Sequence, residues 1–213
     1  MSSGPSTAES SVVFVVDDAA SVRVALDSLL RAVGFDVRCF GSVKDFQQSE
    51  RPDAPACLVL DVRMPGMNGL DFQRELVRYN DPIPIIFITG HGDIPMSVRA
   101  MKAGAVEFLS KPFSEDDLLH AIRAALSKDR ARREAASALA DLQQRFDALT
   151  SRERDVVALI VSGRRNKQIA AKLGVSEITV KVSRGQIMRK TQARSLPELV
   201  RMADRLGISF ENN

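Results

Sequence analysis

Val12-Val13-Phe14-Val15-Val16-Asp17-Asp18 and, further along, Cys57-Leu58-Val59-Leu60-Asp61 share one design: a short, wholly apolar run that ends on carboxylates. Ile85-Ile86-Phe87-Ile88 repeats it and ends on Thr89, and Val106 to Leu109 stops just short of Lys111. Continuous apolar runs of this length suit strands buried on both faces of a parallel sheet. In such sheets ligands sit beyond the carboxyl ends of the strands, where the topology reverses. Asp17, Asp18, Asp61, Thr89 and Lys111 therefore describe one site, suited to a divalent cation and a phosphoryl group.

The residue types support that reading on chemical grounds. Three crowded carboxylates repel one another, which raises at least one pKa unless a cation sits among them. Mg²⁺ takes one or two carboxylates together with waters and phosphate oxygens. A carboxylate beside a metal is also a usable nucleophile, since Asp can form an aspartyl-phosphate. Lys111 would offer the phosphoryl oxygens a point charge and Thr89 a hydroxyl. Any single Asp at a strand end is more simply a turn former. Five such residues at successive strand ends argue for chemistry.

Strand and helix signals alternate through residue 126. Val22, Leu26, Leu29, Leu30 and Val33 recur at helical spacing up to Gly34. Phe35 to Phe40 alternates as an edge strand does, and Leu70, Leu76 and Val77 mark a third helix. Ser114 with Asp117 offers a cap for a fifth helix, which carries Leu118, Ile122, Ala125 and Leu126. The pattern predicts a doubly wound α/β domain with a five-stranded parallel sheet and helices on both faces. From Ser114 to Leu149 there is neither Gly nor Pro, so residues 127–148 read as a helical linker whose charged start, Ser127 to Glu134, looks solvated. Ala135, Leu139, Leu142, Phe146 and Leu149 fit either a short coiled-coil seam or a helix packed on its own domains.

From 149 onward the chain reads as all-α, with four helices. Thr150 and Glu153 form a capping box, and Gly163 closes the first helix. Asn166 to Leu173, the turn Leu173-Gly174-Val175-Ser176, and a basic helix from Glu177 to Lys190 make a helix-turn-helix; Ser195 and Glu198 cap a fourth helix. Val180, Ile187 and Met188 would anchor the basic helix, leaving Thr179, Lys181, Ser183, Arg184, Arg189 and Lys190 outward. Lys181, Val182 and Arg184 would reach base edges, with Gly185 permitting close approach. Arg164, Arg165 and Lys167 look like phosphate contacts.

Charge divides the chain in the same way. Residues 1–128 hold 13 Lys/Arg against 17 Asp/Glu, a net of −4, and residues 129–213 hold 17 against 10, a net of +7. A basic C-terminal half faces a polyanion. Cys39 and Cys57 lack ligand spacing and read as reduced core thiols. No apolar stretch has transmembrane length, and residues 1–11 lack a secretory pattern and look disordered, so a soluble cytoplasmic protein with no membrane partner is expected.

Asp17-Asp18, Asp61-x-x-Met64-Pro65 with Gly69, Thr89-Gly90-His91 and Lys111-Pro112-Phe113, followed by Leu149-Thr-x-Arg-Glu-Arg, Asn166-Lys167-x-Ile169-Ala170 and Thr179-Val180-Lys181, carry a likeness. The chain resembles two-domain bacterial response regulators of the NarL/FixJ type, from Ser11 to Gly207. That resemblance implies a flavodoxin-like receiver domain over 12–126, the linker over 127–148, and a LuxR-type helix-turn-helix domain over 149–213.

It also implies roles. Asp61 would accept the phosphoryl group from a histidine kinase. Asp18, Asp61 and the backbone of Arg63 would hold Mg²⁺ (Mn²⁺ as a substitute), with Asp17 acting through metal-bound water. Thr89 and Lys111 would grip the phosphoryl oxygens, Phe108 would be a switch aromatic, and Lys111-Pro112 would be cis. Val98 and Lys102 would lie on a face that forms a homodimer on phosphorylation, placing two helix-turn-helix units on double-stranded DNA with RNA polymerase as a further partner. Ser183 departs from the His that many relatives carry, which bears on the DNA sequence read. Two rivals remain at this point: a phosphorelay carrier or phosphate sink whose C-terminal domain binds protein, and a Mg²⁺-dependent phosphohydrolase. No lid or leaving-group acid is visible for the second, so a dedicated enzyme is not expected.

Overall fold

The computed structural model describes residues 11–90 and 93–208. The N-terminal ten residues, His91 of the Thr-Gly-His motif, and residues 209–213 lie outside that description. Strands and helices alternate as β1 (Val12–Val16), α1 (Ala20–Ala32), β2 (Asp36–Phe40), α2 (Val43–Gln48), β3 (Ala56–Asp61), α3 (Gly69–Arg78), β4 (Ile85–Thr89), α4 (Ile94–Lys102) and β5 (Glu107–Ser110). Then come α5 (Glu115–Asp147), α6 (Ser151–Val161), α7 (Asn166–Leu173), α8 (Glu177–Thr191) and α9 (Leu196–Arg205). The chain forms two compact units, one ending at Arg133 and the other beginning at Glu134.

In the first unit all strand pairs are parallel, in the order β2-β1-β3-β4-β5. Right-handed crossovers then place helices on both faces, and the side-chain pattern shows which. Val12, Phe14, Val16, Leu58, Leu60 and Phe87 point to one layer with Phe46 of α2, Phe72 and Leu76 of α3, and Met96 of α4. Val13, Val15, Cys57, Val59, Ile86 and Ile88 point to the other, against Leu26 and Leu30 of α1 and Leu118 and Ile122 of α5. Strand periodicity of two, with both faces covered, is why these runs are apolar at every position.

α5 is one helix of 33 residues, so the fifth helix and the helical linker are continuous. Its charged middle is not simply solvated. Asp129 is only 1% exposed: it accepts the backbone N–H of Ala56, at the start of β3, at 3.0 Å, and pairs with Arg132 and Arg133 at 2.7 and 2.8 Å. Arg133 also reaches Asp53. Helical spacing places Asp129 one turn from both arginines, but its burial depends on β3, far away in sequence.

In the second unit, Leu142, Phe146 and Leu149 from the last turns of α5 and beyond join Val156, Ile160, Ile169, Val180, Ile187 and Leu199 in one core. Of the two readings of the seam, packing within its own domain describes those three residues; Ala135 and Leu139 are exposed. The caps form as the sequence implies. Thr150 and Glu153 make a reciprocal box, and Ser176 and Ser195 accept the N–H groups of Thr179 and Glu198. Gly174 ends α7 at φ 64°, a left-handed conformation that favours glycine.

Burial alone would raise the Asp129 pKa, but hydrogen bonds from Arg133, the Ala56 N–H and Arg132 outweigh it and hold the carboxyl below its usual range. A depressed carboxylate stabilises the fold above its unfolded pKa of about 3.9, and that stability is lost as pH falls through the lower folded value. Asp129→Asn should therefore cost about 1–3 kcal/mol at neutral pH. The gap to the parent chain should narrow below about pH 4. Urea midpoints followed by circular dichroism across pH check both.

Candidate phosphoacceptor and nucleic-acid sites

The strand order reverses between β1 and β3, because α1 leads outward to β2 and the chain then returns past β1. The crevice beyond those two strand ends is the expected ligand position. Asp17 follows β1 and Asp61 ends β3, and both are buried. The Lys111 ammonium spans them, 2.7 Å from Asp17 Oδ2 and 3.2 Å from Asp61 Oδ1. Backbone donors fix the remaining oxygens: Ala19 N–H on Asp17 Oδ1 at 2.9 Å and Arg63 N–H on Asp61 Oδ2 at 3.0 Å.

Lys111 arrives after β5, where its N–H bonds to the carbonyl of Thr89 at 2.7 Å. Thr89 ends β4 and is buried, and the Lys111-Pro112 peptide is cis. Asp18 is exposed beside Asp17. The structure thus draws Asp17, Asp61 and Lys111 into direct contact, with Thr89 joined through the backbone. Phe108 is half-buried on β5, its ring 6.2 Å from that of Phe87. Val98 and Lys102 are both exposed on α4.

The electrostatics refine the reading of three repelling carboxylates. Burial pushes the Asp61 carboxyl above its ordinary value; the Lys111 charge and hydrogen bond and the Arg63 N–H pull it down, and Asp17 adds to the rise. Burial would lower the Lys111 ammonium, but the bond and charge of Asp17, and then Asp61, leave it above its usual value. Part of the countercharge demanded by the acidic cluster is therefore the chain's own lysine. Among the described residues no three His, Cys, Asp or Glu side chains gather as a metal cage. The donors still fit Mg²⁺, which keeps several waters and needs only one or two carboxylates.

Gly69 opens α3 against this site. A Cβ there would meet the Asp61 carbonyl oxygen at 2.6 Å and the Phe87 ring at 3.2 Å. α3 can approach β3 so closely only with a bare Cα. Asn68, the N-cap of α3, accepts the Leu70 N–H at 2.8 Å.

In the second unit, Arg164, Arg165 and Lys167 are exposed before and at the start of α7. On α8, Thr179, Lys181, Val182 and Arg189 are exposed, and Ser183 and Arg184 are half-buried. Arg184 bonds Asn166 Oδ1 at 2.7 Å, tying α8 to α7. Lys190 does not face outward, as the sequence reading had it. It pairs with buried Glu153 at 2.7 Å, and that bond, ahead of burial, holds the Glu153 carboxyl below its usual range. Arg152, part of the Leu149-Thr-x-Arg-Glu-Arg motif, and Gln186 carried no assigned role in the sequence. With Ser183 and Arg189 they line a cleft of about 290 Å³, and only a helix-level view places Arg152 beside α8.

Comparison with known proteins agrees with this geometry. The response regulator receiver domain family matches residues 13–123, and the family of bacterial regulatory proteins of the luxR type matches 147–203. Nodulation protein W of Bradyrhizobium diazoefficiens is 57% identical over 198 residues, covering 93% of this chain and 87% of that protein. The transcriptional regulatory protein FixJ of the same species is 39% identical, covering 92% and 96%. The solved structure of the response regulator StyR is 51% identical with a TM-score of 0.83, covering 92% of this chain and 99% of that one. The chain belongs to the two-component response regulators, as a receiver domain followed by a LuxR-type DNA-binding domain. Among the described residues no helix is long and apolar enough to cross a membrane.

Gly→Ala in a helix ordinarily gains stability. Gly69→Ala should do the reverse, losing about 1–3 kcal/mol because neither the Asp61 carbonyl nor the Phe87 ring has room to yield. A chemical denaturation midpoint equal to or above that of the parent chain would contradict the geometry.

Proposed function

We propose that Asp61 is the phosphoacceptor of a Mg²⁺-dependent switch that controls DNA binding by the C-terminal unit. The observation that carries this reading is the shared Lys111 ammonium, which holds Asp17 and Asp61 together at the sheet's switch point. Asp17, Asp18, Asp61 and the backbone of Arg63 would hold the metal, which supplies charge neutralisation for the incoming phosphoryl group. Lys111 and Thr89 then receive the phosphoryl oxygens. The donor is a partner histidine kinase. The protein acts in the cytoplasm as a switch, not as a dedicated catalyst.

Phosphorylation brings roughly −1.5 to −2 of charge to the strand ends. Lys111 and Thr89 follow that charge, and Phe108, packed on Phe87, turns with them. The face that carries Val98 and Lys102 then pairs two chains, which raises the effective concentration of two DNA-binding units on adjacent half-sites. We take 12–126 as the receiver domain, 127–148 as the helical connection and 149–213 as the DNA-binding domain, with RNA polymerase as a downstream partner. Arg164, Arg165, Lys167 and Arg189 meet phosphates; Thr179, Lys181, Val182, Ser183 and Arg184 face the groove. The carrier reading is not favoured, because a LuxR-type domain follows the receiver.

With Mg²⁺ and a small acyl phosphate the protein should take up one phosphoryl group by intact-mass measurement. Asp61→Asn, or chelation of the metal, should abolish the uptake; full labelling of Asp61→Asn would remove Asp61 from the role.

Arg165→Ala and Lys167→Ala should weaken binding to all duplexes alike. Each should reduce the slope of log affinity against log salt by about 1. Unchanged slopes in a salt titration would place the phosphate contacts elsewhere.

A further inference from the structure

The stripe that α8 turns away from its own core carries two exposed apolar side chains. Val180, Ile187 and Thr191 point into the second unit's core. The opposite stripe, at i, i+4, i+7 and i+11, is Ile178, Val182, Gly185 and Arg189. Ile178 is 76% exposed and Val182 56%, the highest values among the large apolar side chains described in this unit. Exposed singly, such residues need no explanation. Here two β-branched side chains sit one turn apart at the N-terminal end of the helix, the end that meets base edges in helix-turn-helix proteins.

Their surroundings decide the occupant. Lys181 flanks them on α8, and Arg164, Arg165 and Lys167 stand exposed near α7. This cationic frame suits a polyanion. The apolar group that a base pair presents in the major groove is the thymine C5-methyl. Gly185, where an added Cβ would meet nothing within 4 Å, leaves the middle of the stripe without a side chain to hold the helix off the groove floor.

We propose that Ile178, together with Val182, is a base-reading residue that selects thymine by its methyl group. The inference rests on the reading of α8 as the groove-facing helix and adds Ile178, which the sequence reading did not single out. Sequence preference in this chain would then come from apolar contact as well as from Lys181 and Arg184.

The test uses the full chain with Mg²⁺ and an acyl phosphate. Bound duplexes are first selected from a randomised pool. Each thymine of the recovered half-site is then replaced in turn by deoxyuridine, which lacks only the methyl. At the contacted thymines the parent chain should lose about four-fold in affinity, the equivalent of one buried methyl group. The loss at one of them should vanish in Ile178→Ser and at a neighbouring one in Val182→Ser, the mark of direct coupling. Because both side chains are exposed, the variants should keep the fold, which the salt dependence of their non-specific binding verifies. Equal affinity for thymine and deoxyuridine duplexes, a half-site without thymine, or a penalty undiminished in Ile178→Ser would overturn the proposal while leaving α8 as a DNA-binding helix. Absence of any salt-dependent duplex binding by the parent chain would overturn that underlying reading as well.

Discussion

Two buried carboxylates on adjacent parallel strands share one ammonium, and the first unit is organised around that shared charge. Asp17 follows β1 and Asp61 ends β3, the pair at which the strand order reverses. Lys111 reaches them from beyond β5, with β4 lying between. At 4 Å an ion pair near a protein surface is worth about 4 kcal/mol, a gain that desolvation readily offsets. The two directions of shift show the outcome for each partner. Lys111 ends more basic than usual, whereas burial still leaves Asp61 above its ordinary value. The ammonium lies nearer to Asp17 than to Asp61, so Asp61 is the less completely neutralised of the pair.

The scaffold has little freedom to relax that strain in charge. Phe14, Phe46, Phe72 and Phe87 are fully buried on one side of the sheet, and Phe46 meets Phe14 and Phe72 edge-on. Close packing of this kind resists small displacements. Phe108 is different: it is only half-buried and its ring is tilted to that of Phe87. Phe108 is therefore less tightly enclosed than the four buried rings.

Much of this was legible in the residues alone, and the rest was hidden for identifiable reasons. Buried parallel strands announce themselves as unbroken apolar runs, so the sheet and the five strand-end residues were visible together. Helix caps are local, so Thr150 with Glu153, Ser176 and Ser195 were readable as well. The short helix α2 was passed over although Ser42 caps it through the Asp45 N–H, because six residues give too little periodicity to read. Asp129 looked solvated because its charged neighbours are exposed; the group that buries it, the Ala56 N–H, lies on β3. Lys190 looked like one more outward cation because Glu153, its partner, belongs to another helix. Pairing of distant charges leaves no period in a sequence.

That distinction between paired and exposed cations bears on how the second unit works. A net of +7 over 129–213 suggests a uniformly basic surface, yet Arg132 and Arg133, at the end of the first unit, pair with Asp129 and Asp53, and Lys190 pairs with Glu153. Arg184 is held to Asn166, which fixes α8 against α7 across the Gly174 turn. Among the cations that stand exposed are Arg164, Arg165 and Lys167, ahead of and at the start of α7, and Lys181 and Arg189 on α8. Phosphate contacts position a duplex without reading it. On the reading proposed above, the C-terminal unit approaches a duplex through its exposed cations, and Ile178 and Val182 on the outward stripe of α8 add apolar contact within the groove.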